Sequence, residues 1–135
     1  MRPPSLLFVT DTHPFLWYAA GNISELGSLA RACFDKAEIG AASIVIPSVV
    51  MAEAAFIAEK GRVQVKFEQL LEKLEDARNY SVYPLDLTIV RKASELKKIG
   101  EIHDRIIVAT SSHLGLDLIT EDREIRESGL VRTLW

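Results

Sequence analysis

The sequence lacks most of the features that would take it out of the ordinary range of globular proteins. It has one cysteine, Cys33, which excludes an internal disulfide and a cysteine-built zinc site and fits a reducing compartment. Cys33 reads as a small core residue. Long apolar runs are missing as well: the longest nearly apolar stretch, Ser43 to Ala52, contains Pro47 and stops at Glu53. A membrane span needs roughly 20 such residues, so no membrane partner is expected. The opening apolar run is cut short by Asp11 and no signal peptide is readable, which makes a cytoplasmic location the expectation. Nor is there an excess of positive charge, since 16 Lys and Arg stand against 19 Asp and Glu for a net charge of −3. A chain of this balance does not coat nucleic acid and would meet it through a local patch. Two basic groups exist, Arg91, Lys92, Lys97, Lys98 and Arg105 in one, Lys60, Arg62 and Lys66 in the other; a solvated helix face accounts for either alone. No phosphate-binding glycine loop, dinucleotide fingerprint or Gly-x-Ser-x-Gly elbow is present.

What remains is 135 residues, 48% hydrophobic and 26% charged, enough to bury about two thirds of the unfolded surface in one core. No repeat, linker or low-complexity segment divides the chain, and a single domain over residues 1–135 is expected. Leu6 to Val9 and Ser43 to Pro47 are short continuous apolar runs of the kind buried on both faces of a parallel sheet. Tyr80 to Leu85, Asp117 to Glu121 and Leu130 to Trp135 read as further strands. Between them lie helical patterns. Pro14 suits the first residue of a short helix through Tyr18, broken by Gly21-Asn22, Ser28 suits the cap of one reaching Ile39, and Ser48 the cap of one reaching Lys60-Gly61. Val63, Phe67, Leu70, Leu71 and Leu74 recur at helical spacing, as do Val90, Ala93, Leu96 and Ile99. The run Ile106 to Ala109 suits either element, and its extension to Leu114-Gly115 favours a helix; a turn or short helix follows Asp122. Strands alternating with helices predict an α/β fold, a three-layer α/β/α sandwich around a mainly parallel central sheet.

In such a sheet ligands bind outside the carboxyl ends of the strands, so the polar residues that follow strands are the candidates for function. Four acids qualify. Asp11 follows the first strand, Glu53 lies early in the helix after the second, Asp104 opens a helix, and Asp122 follows the strand through Thr120. Glu53 is the only charge in the run from Val49 to Ala58, and a carboxylate in so apolar a helix needs a compensating partner. Each of the three aspartates taken alone is explained by helix capping. Together they point elsewhere, because two carboxylates about 4 Å apart repel by roughly 4 kcal/mol at an effective dielectric near 20. A divalent cation removes that penalty, and an all-oxygen set without Cys or paired His favours Mg²⁺ or Mn²⁺. Such an ion activates water for attack on phosphorus. His13 and His103 flank the acids and are candidates for substrate binding, while Thr12, Ser48 and Thr120 beside them are candidates for holding their rotamers.

Four blocks carry a resemblance over nearly the whole chain: Val9-Thr10-Asp11-Thr12-His13-Pro14-Phe15-Leu16-Trp17, Ile46-Pro47-Ser48 with Glu53, Ile102-His103-Asp104-Arg105-Ile106-Ile107-Val108-Ala109-Thr110, and Leu118-Ile119-Thr120-Glu121-Asp122. In this order and spacing they resemble the PIN-domain ribonucleases, most of all the VapC-type toxins of toxin–antitoxin pairs. The resemblance implies that Asp11, Glu53, Asp104 and Asp122 form a catalytic acidic quartet that binds Mg²⁺ or Mn²⁺, with Asp11 and Asp104 as the principal ligands, Asp122 a further metal ligand, and Glu53 and Asp122 completing the site through metal or water. It implies cleavage of RNA phosphodiester bonds by metal-activated water, with Arg105, His13 and His103 placed to bind substrate. It further implies a homodimer silenced by a small antitoxin, with Phe15 to Tyr18 and Phe67 to Leu74 as possible contact faces that core packing explains equally well. Many such proteins have a further acid in an Asp-Pro-Phe-Asp run; here Gly100-Glu101-Ile102-His103 precedes Asp104. Two other readings fit the acids. One is a Mg²⁺-dependent phosphatase of another α/β family, although His13 stands where an Asp-x-Asp motif needs its second acid. The other is a catalytically silent module that binds RNA or protein.

Overall fold

A computed structural model describes residues 6–135. Five strands, β1 (Leu6–Thr10), β2 (Ala42–Pro47), β3 (Tyr80–Tyr83), β4 (Asp117–Ile119) and β5 (Thr133–Leu134), form one sheet in the order β3-β2-β1-β4-β5. Every neighbouring pair is parallel, as strands joined by helical crossovers require. Ile44, Val45, Ile46 and Pro47 are all buried although their side chains point alternately to the two faces, so both faces of β2 are covered. The covering helices are α1 (Thr12–Ala20), α2 (Ser28–Glu38), α3 (Ser48–Glu59), α4 (Phe67–Asp76), α5 (Leu87–Ser94), α6 (Ile102–Leu114) and α7 (Arg123–Ser128). This is the expected α/β sandwich. The chain runs outward from β1 through β2 to β3, then returns to place β4 on the other side of β1. That reversal makes the carboxyl ends of β1 and β4 the switch point at which such sheets bind ligands.

Helix α6 resolves the ambiguous run. Ile106 to Ser111 are buried without interruption, which is a helix enclosed on all sides. Gly115, in the left-handed conformation at φ 67°, closes it by donating to the Ser111 and Ser112 carbonyls. Cys33 is buried in the core, as are Phe15, Leu16 and Leu70, with Phe67 and Leu74 packed against them, so the two suggested contact faces serve the interior.

Several boundaries differ from the sequence reading. Helix α1 begins at Thr12, capped by the Asp11 carboxylate, and Pro14 falls inside its first turn, where a missing N–H costs nothing. Ser28 and Ser48 are first helical residues, preceded by Gly27 and Pro47, which make no side-chain cap. The α2 terminus is tied otherwise: Leu29 N–H donates to the Trp135 carbonyl (3.2 Å). The amphipathic helix starts at Phe67, not Val63, because Lys66 is extended; Val63 is buried from the preceding loop. The expected strand from Leu130 shrinks to Thr133–Leu134, since the three-residue β4 offers it little to pair with.

Candidate active site

Asp11 stands at the switch point. Its backbone N–H donates to the Ile119 carbonyl (3.0 Å), extending the β1–β4 ladder one residue past the strand, and this registers Asp11 against Thr120. Thr120, wholly buried, donates its hydroxyl proton to Asp11 Oδ2 (2.7 Å), while Oδ1 accepts from the Thr12 N–H (2.8 Å). The same Thr120 oxygen accepts from the Asp122 N–H (3.0 Å), and Asp122 caps α7 by accepting from Ile125 N–H (2.9 Å). One buried hydroxyl therefore fixes two of the acids. Glu121 is exposed, and it is Asp122 whose charge is felt at Asp11 and Asp104.

Glu53 finds its partner in α1: Thr12 Oγ1 donates to Glu53 Oε1 (2.9 Å). Asp104, in the first turn of α6, is supported by Glu101, which caps the helix by accepting from the Asp104 N–H (2.9 Å). The other Glu101 oxygen lies 2.8 Å from His103 Nδ1, which orients that ring. Glu101 thus stands three residues ahead of Asp104, where the Asp-Pro-Phe-Asp run has its first acid, and its work is to cap the helix and hold His103. Burial pushes the Glu101 carboxyl up, but the His103 and Asp104 N–H groups outweigh it and leave the carboxyl below its ordinary range.

The other carboxyls move the opposite way. Burial raises Asp11 above its ordinary value against the stabilising bonds of Thr120 and Thr12, and the Asp122 charge raises it further. Burial also raises Glu53, against the Thr12 hydroxyl and His103, with Asp11 and Glu101 adding repulsion. Asp104 is pushed up to about 7, by burial first and then by Asp11, Asp122, Glu101 and Glu53. Each ion pair among the described residues is formed elsewhere, so no Lys or Arg neutralises the four acids. Nor do three such side chains close into a preformed cage; the Asp11, Glu53 and Asp122 carboxylates are each held by a protein donor, Asp104 is fixed only through its backbone, and all four share one field. An uncompensated all-oxygen set fits a hard divalent cation.

The remaining sequence candidates divide. His13 and His103, both exposed, come together with Glu53 on a cleft of about 450 Å³ beside the acids. The His13 ring packs 5.5 Å from that of Trp17 on α1. Arg105 Nε donates to the Ile99 carbonyl and pins the loop before α6. Ser48 is not brought to the acids: its hydroxyl accepts from Leu85 N–H (3.0 Å) and ties α3 to the loop after β3. Sequence reasoning missed Glu101 as the brace of Asp104, although an acid three residues before a first-turn residue is a capping signal. It also missed Phe56, which lines the same cleft.

Thr120→Val keeps the shape and removes both bonds of the hydroxyl. Its expected effect is a loss of about 1–3 kcal/mol in stability and a roughly 10–100-fold loss in divalent-cation affinity. Urea unfolding and Mn²⁺ titration measure the two. Thr120→Ser should retain most of both.

A five-stranded parallel sheet with carboxylates gathered at its switch point defines an α/β sandwich with an acidic cleft. The chain belongs to the PIN domain family, whose profile matches residues 8–129. Among solved structures it is similar to VapBC2 from Rickettsia felis bound to a DNA fragment from their promoter, with a TM-score of 0.67 at 17% identity over 95% of this chain and 97% of that one. It is similar also to DNA-bound VapBC from Salmonella typhimurium, with a TM-score of 0.66 at 19% identity over 95% and 96%. A toxin–antitoxin complex from Klebsiella pneumoniae gives a TM-score of 0.60 at 18% identity over 94% and 95%. Likeness at these identities shows the fold. No curated protein matches the chain. Among the described residues no helix is long and apolar enough to cross a membrane.

Proposed function

We propose that this chain is a metal-dependent endoribonuclease that hydrolyses RNA phosphodiester bonds, and the toxin of a toxin–antitoxin pair. One observation carries the reading: the buried Thr120 hydroxyl ties Asp11 to Asp122 at the carboxyl ends of β1 and β4, where Glu53 and Asp104 share their field and no ion-paired Lys or Arg among the described residues neutralises them. Sites are where proteins tolerate such an arrangement. Membership of a family whose members are generally nucleases gives the chemistry.

Asp11, Asp104 and Asp122 would hold Mg²⁺ or Mn²⁺, with Glu53 completing the set directly or through water. The ion supplies a Lewis acid that lowers the pKa of bound water and offsets charge on the leaving oxygen. The chain's own residues do the positioning. Thr120 holds the Asp11 carboxylate and the Asp122 backbone in one frame, and Thr12 restrains Asp11 through its N–H and Glu53 through its hydroxyl. Glu101 holds the start of α6, and with it Asp104. His13, His103 and Arg105 bind substrate phosphates at the rim. The similar structures are, by their printed names, VapBC or toxin–antitoxin complexes, which supports a small antitoxin partner; a second copy of the chain belongs to the same reading.

The test is incubation with single-stranded and structured RNAs in Mn²⁺, Mg²⁺ or EDTA, beside Asp11→Asn. Internal cleavage that needs the cation and disappears in the variant is expected. Cleavage unchanged by EDTA or by the substitution contradicts the proposal. Hydrolysis of a phosphomonoester in its place would make the chain a phosphatase, and neither activity nor Mn²⁺ binding would make it a silent module.

A further inference from the structure

Helix α3 is apolar on nearly all sides, yet the core takes only Val50 and Ala54 fully. Phe56 is left 61% exposed, and it has not simply been left on open surface. It forms one wall of the cleft of about 450 Å³ that also holds Glu53, His13, His103 and Arg62. The cleft lies within the roughly 300–1,000 Å³ range of small-ligand sites. Its chemistry is graded: Glu53, of the acid cluster, and the Phe56 ring share the lining with a guanidinium and two imidazoles, and the Lys60 ammonium stands over one side of the ring, 5.2 Å from its centroid. An aromatic surface with Arg and Lys beside it suits an occupant that is flat and anionic rather than one that is purely apolar. It matches an unpaired nucleobase, which has a π-face to stack and carries its own phosphate for the cations.

We infer that Phe56 is a stacking platform for a single unpaired base of the RNA strand, with Arg62 taking an adjacent phosphate. This rests on the nuclease reading and deepens it. The platform shares its cleft with Glu53, so it engages a nucleotide close to the scissile bond and requires the strand there to be single. Because the fold does not use the ring, substitutions at Phe56 leave the protein folded.

The experiment is fluorescence anisotropy of a labelled single-stranded RNA pool, in Mg²⁺ and in EDTA, with a cleavage assay on the same samples. Phe56→Ala is expected to weaken single-strand binding roughly 5- to 100-fold. Phe56→Tyr should stay near the wild type, Phe56→Leu should be as weak as Phe56→Ala, and duplex RNA binding should not respond to any of them. Arg62→Gln should lower the slope of log affinity against log salt by about 1. Equal binding by wild type and Phe56→Ala overturns the inference. So does recovery in Phe56→Leu, which would mark a plain apolar contact such as a docked protein segment. Cleavage with binding indifferent to Phe56 sinks this inference alone. Binding that needs Phe56, without cation-dependent cleavage, upholds it and sinks the nuclease reading; no RNA binding by the wild type in either condition sinks both.

Discussion

Asp104→Asn is expected to abolish cation-dependent RNA cleavage while making the metal-free protein more stable. The first half follows from the donor set: losing even about 3 kcal/mol of charge stabilisation in the transition state costs roughly 100-fold in rate. The second half follows from linkage. Asp104 stands at about 7 in the folded chain against an ordinary 3.8. Between those values the folded state binds the extra proton, so stability declines as pH rises from about 4 to about 7 and is flat above. The carboxyl is half-buried, and solvent screens part of the repulsion. About 1 kcal/mol survives that discount, a gain of roughly 3–5 °C in Tm for the amide at pH 8. Thermal melts of both proteins at pH 5 and pH 8 in EDTA check this: the wild type should lose stability between them and Asp104→Asn should lose little. Saturating Mn²⁺ should restore the wild type at pH 8, by about 2.7 kcal/mol at 100 times the dissociation constant, and stabilise the variant by about 1.4 kcal/mol or less.

Ile107→Ala is expected to remove about 2–5 kcal/mol of stability. Ile107 is wholly buried in the main core, one residue from Ile106, which packs on Ile89 and Ala93 of α5. Helix α6 therefore has no solvent side along this stretch into which a truncated side chain's neighbours can relax. Small domains hold only about 5–15 kcal/mol in all, so the loss is a large share. Ile102→Ala, in the same helix but 55% exposed, should change stability by no more than about 0.5 kcal/mol. Urea unfolding with an unchanged slope measures both. Because α6 carries Asp104, Ile107→Ala should also loosen cation affinity, whereas Ile102→Ala should not.

The architecture is legible in the sequence wherever one rule acts alone. Ile44 to Ile46 read as a doubly covered strand because nothing but burial on both faces asks for such a run; in the similar run from Leu6 to Val9 only Phe8 and Val9 are buried, and Leu6 and Leu7 at the strand's start stay exposed. The acids are legible for the same reason: a parallel sheet puts the residue after a strand at its ligand-binding edge, which is enough to select Asp11 and Asp122. What escapes is decided by contacts distant along the chain. The Ser48 hydroxyl resembles a cap in sequence, but it bonds Leu85 N–H, 37 residues away. Val63 continues the helical period of Phe67 and Leu70, yet it is buried from a loop whose course the periodicity does not record. The apolar run around Glu53 calls for a partner, and the partner, Thr12, is a residue that only the packing of α1 on α3 brings near. Phe56 is the clearest case. In sequence it is one more apolar residue of α3, and only its exposure beside Glu53 and Arg62 gives it a separate role.

The central claim is that the four acids are one divalent-cation site. The most direct measurement is calorimetric titration of Mn²⁺ into the wild type, Asp11→Asn and Asp104→Asn at pH 8. Saturable binding by the wild type that both substitutions weaken by tenfold or more is the result predicted. Binding of equal strength in all three proteins would contradict it, because the ion would then be held somewhere other than the edge where β1, β4, α3 and α6 bring their carboxylates together.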